Sequence, residues 1–202
     1  MKDLYFDTES HTYYWKGEKV PCVSDMLAMI DCITMKGIPP QNIINASERG
    51  RRVHEATEDF EYGLLDIDED WISENEDIEP YVCAYIDWWS EVNSSLPIAS
   101  EEPLYCEETG LAGTIDLIKQ KDGELWLIDK KTSATLGQLR SLLQLNIYRL
   151  NWNATHEEKI NRLAILQLRK DETYRFIEIP IDEKKTWEWI EKFREIKGDK
   201  KL

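Results

Sequence analysis

The sequence predicts an α/β or α+β layer fold with helices before and after a central sheet. Three observations predict it. Apolar residues recur at helical spacing between about residues 25 and 93. From about residue 99 they regroup into short strand-like runs divided by turn signals. A strongly amphipathic stretch over 136–152 is then followed by another strand pair and a closing helix. The length of 202 residues suits one domain with one sizeable core. The apolar share of 42%, with eight Trp and nine Tyr, is that of a globular chain.

Near the N-terminus, "YFDTESHTYYWKGEKVPCVS" alternates aromatic and polar residues and carries Lys16-Gly17 at a turn, so it predicts a β-hairpin. Ser24 or Asp25 can cap a helix through "DMLAMIDCI". Gly37 and the Pro39-Pro40 pair break the chain before a second helix over roughly 45–63, where Val53, Ala56 and Phe60 fall at helical spacing. The acidic run 66–79, "DIDEDWISENEDIE", predicts a solvated linker or loop. A third helix is expected over about 78–93. Strands follow in "ASEEPLYCE", "LAGTIDLIKQ" and "ELWLIDKKT", then the 136–152 helix. "INRLAILQLRK" and "YRFIEIPI" form a further strand pair, and a helix over 182–197 closes the chain. With no internal repeat and no low-complexity tract, one domain over 1–202 is expected: a hairpin and helical part over 1–98, a sheet-bearing core over 99–202.

Cys22, Cys32, Cys83 and Cys106 are widely spaced and form no CxxC pair, so they read as thiols of a reducing compartment rather than a disulfide framework or a zinc site. There is no long apolar run and no signal-type N-terminus, so no membrane association and a cytoplasmic location are expected. Net charge is −15, from 25 Lys and Arg against 40 Asp and Glu, which weakens long-range attraction to a polyanion. "RGRR" at 49–52 and the tail "KGDKK" at 197–201 still leave room for a local basic path.

The chemistry concentrates in residues 113–133, "GTIDLIKQKDGELWLIDKKTS". Asp122-Gly123 between two apolar runs is a strong two-residue hairpin signal. With Lys121 facing Glu124, the same register sets Asp116 opposite Asp129 and Thr114 opposite Lys131. Strand alternation puts these four on one face, with Ile115, Leu117, Trp126 and Ile128 on the other. Like charges opposed on a sheet are destabilising. Opposed Cβ atoms are about 5 Å apart, and two carboxylates carried at that spacing suit one hard divalent cation, Mg²⁺ or Mn²⁺. Lys131 beside them can hold a nucleophilic water or neutralise charge on a phosphoryl oxygen, the equipment of metal-assisted phosphodiester hydrolysis.

Two helical constellations accompany the hairpin. On the 136–152 helix, Arg140, Gln144 and Tyr148 recur every four residues and align on one side, opposite Leu139, Leu142, Leu143 and Leu150. On the earlier helix His54 and Glu58 stand four apart with Arg51 one turn before, a spacing that can ligate or orient around a metal.

Taken in order, His54, "GTID" ending at Asp116, "IDKKT" with Asp129 and Lys131, and "QLNIY" with Gln144 and Tyr148 resemble the PD-(D/E)XK nuclease superfamily. The likeness is to its RecB-like exonuclease branch, which includes phage exonucleases, CRISPR-associated RecB-like exonucleases and the mitochondrial genome maintenance exonuclease. It spans about residues 48–150, and "HTYYWKGEKVPCVSDML" also looks like phage members. The resemblance implies a mixed central sheet flanked by helices, a restriction-endonuclease-like core. It implies metal held by His54, Asp116, Asp129 and the carbonyl of Lys130, with Lys131 as the catalytic lysine. Gln144 and Tyr148 would contact DNA and support the site, and Glu102 would be a further acid. Lys130 stands where such members often carry an aromatic or aliphatic residue. Some relatives hold an iron–sulfur cluster with one early and three late cysteines; no cysteine follows Cys106, so none is expected.

The expected function is therefore that of a Mg²⁺/Mn²⁺-dependent DNA exonuclease, phage-encoded and acting in the host cytoplasm in recombination, repair or end processing. Its substrate would be single-stranded DNA or end-bearing duplex, with Arg140 and Arg51 gripping the backbone and a recombination protein as a further partner. Two rivals are a catalytically inactive DNA-binding or accessory protein on the same scaffold and an acidic DNA mimic. The mimic would spread its carboxylates over one surface, whereas here they cluster in the 66–79 run.

Overall fold

The computed structural model of the protein describes residues 3–34, 39–92 and 96–198. Gly37 and most of the basic tail lie outside the described residues. The aromatic N-terminus forms a three-stranded antiparallel sheet of β1 (Leu4–Asp7), β2 (Thr12–Trp15) and β3 (Glu18–Val20). Lys16 and Gly17 turn β2 into β3 with left-handed φ angles of 51° and 84°, which the hairpin turn requires. This small sheet is not free-standing. Tyr13 and Cys22 pack with Tyr105 and Ala112, and the Tyr13 hydroxyl lies 2.8 Å from Thr114 Oγ1.

Helix α1 (Val23–Thr34) begins two or three residues ahead of expectation, with the Asp25 carboxylate accepting the Cys22 N–H at 2.9 Å. Helix α2 (Pro40–Glu61) also starts earlier than the sequence suggested. Pro40 occupies its first position, where a missing N–H costs nothing. The acidic run is not wholly a loop. Asp68 caps a short helix, α3 (Glu69–Glu74), by accepting the Trp71 N–H at 2.8 Å, and Glu69 and Asp70 favour its first turn. Helix α4 (Glu79–Glu91) then brings Tyr81, Tyr85, Trp88 and Trp89 inward.

The main sheet runs β4 (Ala99–Cys106), β5 (Leu111–Lys121), β6 (Glu124–Lys131), β7 (Arg162–Leu168) and β8 (Tyr174–Ile179) in that order. Every neighbouring pair is antiparallel except β6–β7. A parallel step needs a crossover, and helix α5 (Gln138–Thr155) supplies it. The chain closes with α6 (Glu183–Lys197), capped by Asp182 and ended by left-handed Gly198. Two apolar layers cover the two faces of the sheet. Residues of α1, α5 and α6 pack on one side with Ile118, Leu127, Leu163 and Ile165. Those of α2 and α4 pack on the other with Leu117, Trp126, Ile128, Ala164 and Leu166. No helix among the described residues is long and apolar enough to cross a membrane.

The β5–β6 hairpin has the register read from its turn, with Lys121 opposite Glu124 and Leu117 opposite Ile128. Asp122 and Gly123 both adopt positive φ, the signature of a two-residue turn that matches strand twist. The ladder stops at Leu117–Ile128, one step short of Asp116 and Asp129. Alternation along β5 breaks there as well. Ile115 packs with Ile118 in the α5 layer while Leu117 faces the α4 layer, so Ile115 does not share a face with Leu117 as expected. Thr114 is bonded to Tyr13 and paired with Pro103 rather than opposed to Lys131. The two strands part at Asp116.

Beyond the parting, Gly113 approaches helix α5 closely. A Cβ built on it would lie 2.5 Å from Tyr148 Cε1 and 3.0 Å from its hydroxyl. Gly113→Ala is therefore expected to cost about 1–3 kcal/mol by overpacking. Because the clash is with one ring, Gly113→Ala in a Tyr148→Ala background should cost measurably less, a coupling that a double-mutant cycle of urea melts reads directly.

Candidate active site where β5 leaves β6

Helix α2 carries His54 toward the ends of the parted strands. Its Nδ1 lies 3.0 Å from Glu101 Oε1, its Nε2 3.1 Å from the Lys130 carbonyl oxygen and 3.7 Å from Asp116 Oδ2. All three neighbours are acceptors. A neutral imidazole has one N–H and can satisfy only one ring nitrogen in such a place. The other must carry a proton or face a cation. Burial opposes the imidazolium, but the Asp116 and Glu101 carboxylates outweigh it and raise the His54 pKa.

Asp116 accepts the Lys130 backbone N–H at 2.7 Å, which takes the place of a further ladder bond. Burial above all, then the charges of Asp129 and Glu101, push its pKa up to about 6 against the pull of His54. Asp129 is 2% exposed. Lys131 Nζ donates to its Oδ1 at 2.8 Å, while Oδ2, also 2.8 Å from the ammonium, has no hydrogen bond of acceptable geometry. Burial would lower the Lys131 pKa, but Asp129 and Asp116 raise it and keep the ammonium charged. A charged ammonium thus sits on β6 beside Asp129 and close enough to feel Asp116 on β5.

The side chain of Lys130 runs the other way, into the α2–α4 layer, and is 1% exposed. Its ammonium donates to Thr57 Oγ1 at 3.0 Å and lies 3.3 Å from both Glu61 Oε1 and Glu101 Oε1. Tyr85 donates its hydroxyl to the same Glu61 oxygen, and its ring lies 5.6 Å from the ammonium. Burial works against this ammonium, yet Glu61, Glu101 and Asp116 raise its pKa. Lys130 therefore links the floor of the site to Glu101, and Glu101 orients His54.

A family model of the PD-(D/E)XK nuclease superfamily matches residues 34–199, most of the chain. The chain belongs to the PD-(D/E)XK nuclease superfamily. Among solved structures, a candidate exonuclease from Eubacterium rectale is similar at 14% identity and a TM-score of 0.49, over 76% of this chain and 69% of that one. The protein SSO0001 is similar at 16% identity and a TM-score of 0.35, over 86% of this chain and 84% of that one. Comparison with curated protein sequences returns no match.

PD-(D/E)XK nucleases use divalent metals, and this nuclease has a donor set that fits one. Ligand atoms of His54, Glu101 and Asp116 lie within 4.8 Å of one another. The unsatisfied Asp129 oxygen and the acceptor-only surroundings of His54 Nε2 are what a hard cation would resolve. Glu101 on Nδ1 is then the outer carboxylate that fixes the imidazole.

The remaining candidates fall in different places. Glu102 is not at the site; it lies 3.9 Å from His156 Nε2, and its neighbour Glu101 takes the position instead. Glu101 adopts a left-handed φ of 46°, and nothing in its sequence context signals that. Glu58 does not pair with His54; it is half-buried, with a pKa raised by burial and by Glu101. Arg51 is exposed and paired with Glu55. The Arg140/Gln144/Tyr148 stripe does not face solvent as a free DNA-gripping surface. Tyr148 is 5% exposed, packed on Gly113, and Gln144 Oε1 is buried without a hydrogen bond. Arg140 acts electrostatically on Lys131 as a small opposing charge, while the Lys131 pKa stays raised overall by Asp129 and Asp116. Thr57 and Glu61 were missed, although they stand three and seven residues after His54, on the buried side of α2 with Val53.

A carboxyl whose pKa is raised on folding destabilises the fold once ionised, a cost present above about pH 6 and lost as pH falls toward its ordinary 3.8. Asp116→Asn in chelator at pH 8 should therefore be about 1–3 kcal/mol more stable than wild type. The advantage should shrink on acidification from pH 6 to pH 4, and the variant should lose the stabilisation that Mn²⁺ gives the wild type. Calorimetric melts across that range, with and without Mn²⁺, measure both.

Proposed function

We propose that this nuclease is a Mg²⁺- or Mn²⁺-dependent DNA exonuclease. The observation that carries the metal-dependent hydrolysis is the convergence of His54 Nε2, Asp116 Oδ2 and the Lys130 carbonyl beside the Asp129–Lys131 pair. His54, Asp116, Asp129 and the Lys130 carbonyl would hold the cation. Once bound, a divalent ion would supply Lewis-acid stabilisation of charge on the scissile phosphate.

The chain's own residues do the rest. Glu101 holds His54 by Nδ1, so that Nε2 faces the site. Asp129 keeps the Lys131 ammonium in place at 2.8 Å, where it donates to the phosphoryl oxygen as negative charge builds on it. Tyr148, wedged against Gly113, supports the wall behind Asp116. Arg140 near Lys131, and Arg51 midway along α2, would add a smaller share of positive charge for the DNA backbone, since Arg51 is already paired with Glu55.

Cleavage from ends, a phage source, host-cytoplasmic location, work in recombination, repair or end processing, and a recombination protein as partner are supported by the likeness of the His54, Asp116, Asp129–Lys131 and Gln144–Tyr148 motifs to the RecB-like branch. Residues 1–202 would act as a single nuclease domain; the family match crosses the 98/99 boundary, which supports that reading.

End-labelled single- and double-stranded DNA, incubated with the protein and Mn²⁺ or chelator, tests the proposal, and circularised DNA separates cutting from ends from internal cutting. Lys131→Ala should slow cleavage by about 10²- to 10³-fold, with binding in Ca²⁺ preserved. His54→Ala should raise the Mn²⁺ concentration needed for half-maximal activity. Binding without cleavage at any metal concentration would instead mark an accessory protein on a nuclease scaffold.

A further inference from the structure

A second recess opens immediately beyond Lys131. Its volume is about 580 Å³, and Tyr81, Thr132, Ser133, Gln167, Arg169 and Arg175 line it. Its walls are fixed by internal hydrogen bonds. Gln167, paired with Lys131 across β6–β7 and 3% exposed, donates to the Ser133 and Ala134 carbonyls at 2.8 and 3.1 Å. That pins the loop after Lys131 over the end of the sheet. The facing wall is the β7–β8 turn, closed by Arg169 N–H to the Thr173 carbonyl and by Asp171, which accepts from the Thr173 hydroxyl at 2.5 Å.

The charge of this recess runs against that of the chain. In a protein of net charge −15, Arg169, Lys170 and Arg175 line it with Asp171 as the opposing carboxylate. A fourth cation stands behind it. The Arg49 guanidinium lies 5.4 Å from the centre of the Tyr81 ring, and its Nε is buried with no hydrogen-bond partner. Arg169 is already 3.3 Å from Asp171, which leaves Lys170 and Arg175 as the lining cations that could meet an anion with several acceptor oxygens.

We propose that this recess binds the phosphates of a single DNA strand adjacent to the scissile bond. The inference rests on the nuclease reading of the Lys131 site. Thr132 and Ser133 follow Lys131 directly in the chain and line the recess, so the recess adjoins the end of β6 that carries Lys131. The volume falls within the range of small-ligand pockets, roughly 300–1,000 Å³, which admits a nucleotide or two and excludes a duplex. It also gives the acidic chain a local means of holding a polyanion, one that the exposed, Glu55-paired Arg51 supplies poorly.

The test is Lys170→Gln/Arg175→Gln, both at exposed positions, against Lys184→Gln/Lys185→Gln on α6 as a control of equal charge change. The probe is a fluorescent single-stranded DNA 20-mer in Ca²⁺, titrated from low to physiological salt. The recess variant should bind about tenfold more weakly, with a salt slope lower by about 1.4, the amount for two lost phosphate contacts on a single strand. The control should change neither quantity comparably. Equal losses in both variants would reduce the effect to bulk charge and overturn the proposal, as would a larger loss on blunt duplex than on single strand. If the wild type cuts DNA and the recess variant binds as wild type does, the recess alone is refuted. If the wild type neither binds nor cuts DNA, the nuclease reading falls and takes the recess with it.

Discussion

The contact on which the site depends is the 2.7 Å hydrogen bond from the Lys130 backbone N–H to the Asp116 carboxylate. It lies where β5 and β6 stop pairing, and it lets the two strands part without leaving a buried N–H unsatisfied. Beyond it β5 pairs only with β4, its side-chain alternation breaks, and Gly113 comes against Tyr148. The gap so opened is where His54 and Glu101 enter. A continuous ladder would have set Asp116 and Asp129 face to face; the parted one separates their duties. Asp116 faces His54 and the Lys130 N–H, while Asp129 is given to Lys131.

Behind this gap stands a buried ionic network that a stability argument alone would not favour. Lys130, Glu61, Thr57, Tyr85 and Glu101 gather in an otherwise apolar layer of Trp88, Trp89 and Val82. Buried pairs of this kind roughly balance desolvation against attraction, so their net contribution to stability is small. Removing one member is another matter, because it strands the others; Glu61 Oε2 already has no hydrogen bond. The network instead confers a fixed direction. It ties the backbone that offers the Lys130 carbonyl to the carboxylate that orients His54, through one rigid side chain. The lysine that departs from the common pattern of such sites is thus built into the second layer of this one.

The acidity of the chain follows a similar logic. The 66–79 segment keeps its carboxylates in or beside the short helix α3, where Asp68 caps and Glu69 and Asp70 meet a helix N-terminus. Asp77 is paired with Arg52 at 2.8 Å. These acids are given local tasks, and the described basic side chains around Tyr81 and the β7–β8 turn lie about the recess that adjoins the Lys131 end of β6. Attraction for a phosphate chain is then a matter of a short path, since charges further than a Debye length of about 8–10 Å are largely screened at physiological salt.

Much was legible in the residues because it is set locally. Asp122-Gly123 dictates its own turn and hence the β5–β6 register, and Lys16-Gly17 does the same for β2–β3. Helical spacing located α4, α5 and α6 to within a few residues, and the fold brings together His54, Asp116, Asp129 and Lys131, which type and order had singled out as candidates. What the chain alone did not disclose depends on parts distant in sequence. Register continues from a turn only while both strands have partners, so no local pattern says that pairing ends at Leu117. Whether Glu101 or Glu102 meets His54 depends on a single left-handed residue and on a helix 47 positions away. The side of α5 that looked polar and free in a helical projection is covered, because a crossover helix between parallel strands is packed by the sheet beneath and by α1 and α6 beside it. Residue type determined which groups could do the chemistry; only the packing of the layers decided which of them meet.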